Sequence, residues 1–140
     1  MDKTRSALVG VVVCLVLLAA LAGACPWSCP NGLVARQNLL YNATANGCGP
    51  AGLHVSTKWE FTPCCDHDLC YQVCGGSKKA CDDAFLKCLN DVCKQVKKKK
   101  QQAECQQTAA LFSLATTTFG CSSYQQSQTA ACVCDSRDEL

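Results

Sequence analysis

The chain carries no excess of charge of either sign. Thirteen Lys and Arg stand against eleven Asp and Glu, and setting aside Lys3, Arg5 and Asp2 leaves eleven against ten. No global positive field exists to bind nucleic acid. The chain also lacks a long apolar run. The longest, ALVGVVVCLVLLAAL from Ala7 to Leu21, falls short of the roughly 20 residues that a membrane-spanning helix needs. No stretch repeats, and no two segments alternate as a strand pair demands. Residues 33–40 read at most as one short helix in an irregular N-terminal arm.

What the first 24 residues do have is the three-part pattern of a secretory signal peptide: Lys3 and Arg5, then the apolar run, then Ala22-Gly23-Ala24. The expected domain organisation is therefore a leader at 1–24 and one domain at 25–140. Cysteine supports this division. Of 15 cysteines, Cys14 falls in the leader and an even 14 remain. That density belongs to an oxidising compartment and to a core too small to stand without cross-links. The last four residues, RDEL, differ only in their first position from endoplasmic-reticulum retrieval signals, which implies a retrieval receptor as a partner. Asn42-Ala43-Thr44 is a glycosylation sequon suited to the same lumen.

The chemistry concentrates in three stretches. NGCGPAG, at 46–52, is a loop by its glycines and proline. TPCCDHDLCYQVCGG, at 62–76, opens with a proline suited to a first helical turn. His67, Cys70, Tyr71 and Cys74 then share one helical face until Gly75-Gly76 stops it. Ser77 is suited to cap a second helix with the stripe Cys81, Phe85, Cys88, Leu89, Val92, Cys93, Val96. The short GGSKK turn makes these two helices antiparallel neighbours, cross-linked by their cysteines. A third helix is expected over 103–118, and the chain beyond Cys121 is polar with no assigned element.

Neighbours on a helix diverge by about 100°, so His67 and Asp68 address different sectors. Antiparallel packing brings Asp82, near the start of the second helix, opposite His67. A carboxylate behind an imidazole fixes its tautomer and stabilises the imidazolium, as a general base requires. Tyr71, one turn on, reaches the same carboxylate. The glycine loop offers backbone carbonyls with little steric hindrance. Those of Gly47, Gly49 and Ala51 alternate and suit one Ca²⁺, a cation that takes six to eight oxygens, with Asp68 adding charge. A zinc site built from cysteines and His67 is disfavoured where thiols pair with each other.

NGCGPAG, CCDHDLCY and CDDAFLKC, in this order, resemble secreted phospholipase A2. CGGSKKACDDAFLKCLNDVC and FGCSSYQQSQTAACVC are most similar to its group XII branch. The resemblance implies an all-α, small disulfide-rich domain with a calcium loop. It implies Ca²⁺-dependent hydrolysis of the sn-2 ester of glycerophospholipids at a phospholipid surface. In it His67 is the base and Asp82 its partner, and calcium sits on Asp68 and the carbonyls of Gly47, Gly49 and Ala51. The Gly49 amide then shares the oxyanion with the ion.

One departure stands out. The family spaces its motif Cys-Cys-x-x-His-Asp-x-Cys-Tyr, whereas only Asp66 separates Cys65 from His67 here. Either Cys64 takes the second cysteine's place, or the helix begins later and absorbs the gap. The rival function is a catalytically silent, phospholipase-like protein that binds lipid or a receptor. The lysine run at 94–100 reads first as a solvated helix end and second as a contact for anionic headgroups. Trp27, Trp59 and Phe61 suit either a lipid interface or the core.

Overall fold

A computed structural model describes residues 25–45 and 58–136. The leader at 1–24, the glycine loop with Gly47, Gly49 and Ala51, and the RDEL end lie outside the described residues. Among the described residues four α-helices, α1 (His67–Tyr71), α2 (Lys78–Lys94), α3 (Lys99–Phe119) and α4 (Cys121–Ala131), carry the fold. No helix among the described residues is long and apolar enough to cross a membrane.

The expected helical, disulfide-rich architecture is present. Cystines Cys64–Cys88 and Cys70–Cys81 join the α1 segment to α2. Partner numbers fall along α2 as they rise along α1, so the two run antiparallel. Cys93–Cys105 ties α2 to α3. Cys74–Cys132, Cys25–Cys121 and Cys29–Cys134 bind the chain's two ends to the helices and to each other. Each such cross-link stabilises a fold by roughly 2–4 kcal/mol, mainly by restricting the unfolded chain. Cys65 is also disulfide-bonded.

Ser77 caps α2 as expected, its Oγ accepting from the Ala80 amide at 3.3 Å. The stripe below it is core: Cys81, Phe85, Leu89 and Cys93 are buried. Phe61, Cys64, Cys105 and Ala109 close around this face, with Trp59, Val92, Val96 and Phe112 packed against it. Phe61 is thus a core residue and not part of an interface. Trp27 is half-buried in a second cluster around Tyr71, Cys81 and Tyr124.

Besides α3, which starts at Lys99 rather than at 103, three elements differ from expectation. Residues 33–40 hold a strand, β1 (Val34–Gln37), rather than a helix. It pairs antiparallel with β2 (Cys132–Asp135), from Val34 opposite Asp135 to Gln37 opposite Cys132. These strands are four residues long and about a hundred positions apart, too short and distant for periodicity to register. Arg36 Nε donates to Asp135 Oδ2 at 2.8 Å across the pair, and Cys29–Cys134 locks it. The polar chain after Cys121 forms α4, held by two side chains with distant partners: Gln128, and Tyr124, whose hydroxyl donates to the Gly76 carbonyl at 2.7 Å. And α1 ends at Tyr71, leaving Cys74 in a turn.

The early end of α1 has a physical cause. Fully buried Gln128 donates its amide to the carbonyls of Tyr71 and Val73, both at 2.8 Å, and accepts from the Gly75 amide at 2.8 Å. Those groups are taken from the helical ladder, and the backbone tightens to Gln72 N–Leu69 O and Val73 N–Cys70 O bonds. Gly75 completes the turn at φ 75°, a region open to glycine. On the other side, Gln72 binds the N-terminal arm, donating to the Thr44 carbonyl at 2.7 Å and accepting from the Tyr41 hydroxyl at 3.0 Å.

Gln128→Leu should leave these buried groups without partners. Each stranded group costs about 1–3 kcal/mol. Guanidinium unfolding with disulfides intact should show a lowered midpoint for the variant; an unchanged midpoint would contradict this role.

Candidate functional site

His67, Tyr71, Asp82 and Lys78 meet where α1 crosses the start of α2. The antiparallel pairing fixed by Cys70–Cys81 sets the α1 face carrying His67 and Tyr71 over the α2 turn carrying Lys78 and Asp82. His67 Nε2 lies 2.8 Å from Asp82 Oδ1. The Tyr71 hydroxyl donates to the same oxygen at 2.5 Å. Lys78 donates to the other oxygen, Oδ2, at 2.6 Å. The side chains of His67, Asp82 and Lys78 are only 7–8% exposed.

An ionised carboxylate only accepts hydrogen bonds, so Nε2 carries a hydrogen, and in the neutral imidazole Nδ1 holds the lone pair. No hydrogen bond occupies Nδ1 among the described residues. Burial pushes the Asp82 carboxyl upward, but hydrogen bonds from His67, Lys78 and Tyr71 overcome it and hold the group below the ordinary carboxyl range. Burial first, and then the neighbouring Asp82, push the Tyr71 hydroxyl far above the ordinary tyrosine range. Tyr71 therefore stays a neutral donor. Packing fixes the imidazole: its ring sits edge-on to Tyr71 with centroids 4.2 Å apart and is tilted against Phe85 at 5.0 Å.

The shortened spacing before His67 is absorbed upstream. Residues Thr62–Cys64 form a 3-10 turn and α1 opens only at His67, so the helix begins after the shortened spacing and His67 still meets Asp82. Cys64 pairs with Cys88.

Asp68 follows His67 in the first turn of α1 and faces a different sector. The described residues contain no cluster of three His, Cys, Asp or Glu side chains that could hold a metal. A resident ion would need backbone oxygens, and the glycine-rich segment that offers them lies outside the described residues. The donor chemistry on hand, one carboxylate, fits a hard cation such as Ca²⁺ and not a thiolate-seeking one, since the described cysteines are disulfide-bonded.

Sequence reasoning missed Lys78. Its Nζ also donates to the carbonyls of Thr116 and Thr117 at 3.2 and 3.3 Å, at the end of α3. The available signal was its i, i+4 spacing to Asp82 and its awkward place in a helix's first turn, where positive charge opposes the helix dipole. It missed Gly120 in its spatial role as well. A methyl there would collide with the Thr116 carbonyl and lie 3.0 Å from the Tyr71 hydroxyl. The end of α3 is thus pressed against the site.

A histidine held by a buried carboxylate on cross-linked helices defines a disulfide-stapled helical domain with a His–Asp dyad. The family model described as group XII secretory phospholipase A2 precursor matches residues 6–140, and the chain belongs to that family. Group XIIA secretory phospholipase A2 of Mus musculus is 35% identical over 129 residues, covering 86% of this chain and 67% of that protein. The group XIIB secretory phospholipase A2-like protein of Mus musculus is 31% identical, covering 89% and 72%. Conodipine-P2 of Conus purpurascens is 45% identical over a shorter 56 residues, covering 37% and 31%. No solved structure matches.

Removing one member of a buried ion pair costs about 3–5 kcal/mol, because the other charge stays behind. Asp82→Asn should therefore be markedly less stable than wild type at neutral pH, in guanidinium unfolding with disulfides intact. A depressed carboxyl pKa stabilises the fold above the ordinary value of 3.8, and that contribution is lost as pH falls through the lowered value. The gap between wild type and variant should shrink below pH 3.8; a gap that widens there would contradict the assignment.

Proposed function

We propose that this protein is a calcium-dependent phospholipase A2 that hydrolyses the sn-2 ester of glycerophospholipids. The observation that carries the reading is the 2.8 Å contact from His67 Nε2 to Asp82, which leaves Nδ1 as the proton acceptor. Water gives a proton to Nδ1 while its oxygen bonds to the ester carbonyl carbon. Asp82 stabilises the imidazolium so formed, and Tyr71 holds Asp82 in position. As the bond to the glycerol oxygen breaks, the imidazolium returns its proton to that oxygen. Asp68 and the carbonyls of Gly47, Gly49 and Ala51 would hold Ca²⁺, which when bound polarises the ester carbonyl.

The partner is a phospholipid surface. Leu111, Leu114 and Phe119 on the last turns of α3 are 66%, 62% and 79% exposed. Exposed apolar side chains so grouped favour contact with an apolar partner. The same helix end touches Lys78 and lies against the Tyr71 hydroxyl. Lys99 and Lys100 open the same helix and suit anionic headgroups, each such lysine contributing about 1 kcal/mol near the surface.

Chelating calcium should abolish fatty-acid release from phospholipid vesicles, and His67→Ala should do so with calcium present. Release that survives both changes would overturn the mechanism. Vesicle binding without release, calcium supplied, would favour the silent binding protein. Replacing Leu111, Leu114 and Phe119 together by serine should weaken vesicle binding while leaving hydrolysis of a soluble short-chain substrate intact; unchanged binding would exclude this face as the docking surface.

A further inference from the structure

We propose that Lys78 is a positioning residue of the dyad, locking the Asp82 carboxylate in place and fastening it to the end of α3. This inference rests on the hydrolase reading above.

The two oxygens of Asp82 are held differently. Oδ1 takes both His67 and Tyr71, whereas Oδ2 takes Lys78 alone among the described residues. Lys78 is therefore what stops the carboxylate from turning about its own axis. An ammonium has three N–H donors. Those of Lys78 are matched by Asp82 Oδ2 at 2.6 Å, the Thr116 carbonyl at 3.2 Å and the Thr117 carbonyl at 3.3 Å. With every donor met, the side chain has one geometry, and Asp82 inherits it.

The location of Lys78 fits this role and not a helix-stabilising one. It is the first residue of α2, where positive charge opposes the helix dipole. A lysine four residues before an acid is the weaker order for a helical ion pair. Its benefit lies across the fold, at the carbonyl end of α3, where a cation is favoured. Gly120 lets this end approach, since a side chain there would strike the Thr116 carbonyl and crowd the Tyr71 hydroxyl. Lys78 and Tyr71 thus fix Asp82 from two sides, with α3 as the backing.

Charge alone predicts the opposite outcome. An ammonium beside Asp82 weakens the pull of the carboxylate on a protonated imidazole, so removing it would favour proton transfer. Positioning predicts a slower enzyme. The sign of the change in kcat separates the two.

The test compares Lys78→Met with wild type on phospholipid vesicles with calcium, in the native and Asp82→Asn backgrounds. Loss of the outer partner of a metal ligand typically lowers activity about 10–100-fold, and an effect of that order is taken here for the outer partner of Asp82. Lys78→Met should lower kcat by about that factor with KM unchanged, and should have no further effect once Asp82 is Asn. An equal loss in both backgrounds, or a kcat that holds or rises, would overturn the proposal. If Lys78→Met fails to fold, Lys78→Arg replaces it. That variant keeps the charge, but a planar fork cannot meet the same three acceptors, so kcat should again fall without KM. Proton NMR of the His67 Nε2–H gives a readout that needs no turnover. Its resonance should shift and broaden when Lys78 is replaced; an unmoved resonance would overturn the positioning role. A wild type that releases no fatty acid would instead remove the hydrolase reading, and the spectrum would still decide on Lys78.

Discussion

The site depends on one buried carboxylate. Desolvation pushes the Asp82 carboxyl toward its neutral form, and a neutral carboxyl would stabilise a protonated His67 far less. Three donors reverse that outcome: His67 and Tyr71 from α1, and Lys78 from the carboxylate's own helix. Each is useful only if α1 and α2 stay in register. A slide of one residue would turn His67 and Asp82 about 100° apart. The geometry of the dyad is therefore a statement about how two helices are held.

Covalent bonds do that holding. Helix α1 has five residues, far too few to persist alone. Cys70–Cys81 and Cys64–Cys88 pin its two sides to α2, and Gln128 seizes the carbonyls at its end. The core beneath is small, with Leu89, Cys93, Cys105 and Ala109 at its centre. In so small a core the cystines supply the order that apolar packing would supply in a larger domain. They leave α3 free to expose Leu111, Leu114 and Phe119 without loss of structure.

The parts of this arrangement governed by local rules were readable in the sequence. The Ser77 cap, the α2 stripe, the breaker at Gly75 and the approach of Asp82 to His67 all follow from spacing within about twenty residues. What depends on distant partners was not readable. Gln128 looks like one of many polar residues in a glutamine-rich stretch, yet it is fully buried because three backbone groups from residues 71–75 converge on it. β1 and β2 stabilise each other across the whole chain, and neither four-residue segment carries a pattern of its own. Helix α3 starts at Lys99, four residues earlier than its apolar stripe suggests, because helix geometry continues through lysines that pattern reading assigns to solvent. Lys78 was overlooked for a related reason: its value lies in α3, and its own helix disfavours it.

The central claim is that Asp82 holds the Nε2–H of His67 and leaves Nδ1 bare. Nitrogen-15 NMR of the two ring nitrogens at neutral pH reads this directly. The account predicts that the hydrogen of the neutral imidazole form resides on Nε2, with the lone pair on Nδ1. Hydrogen resident on Nδ1, with Nε2 bare beside the carboxylate, would contradict it.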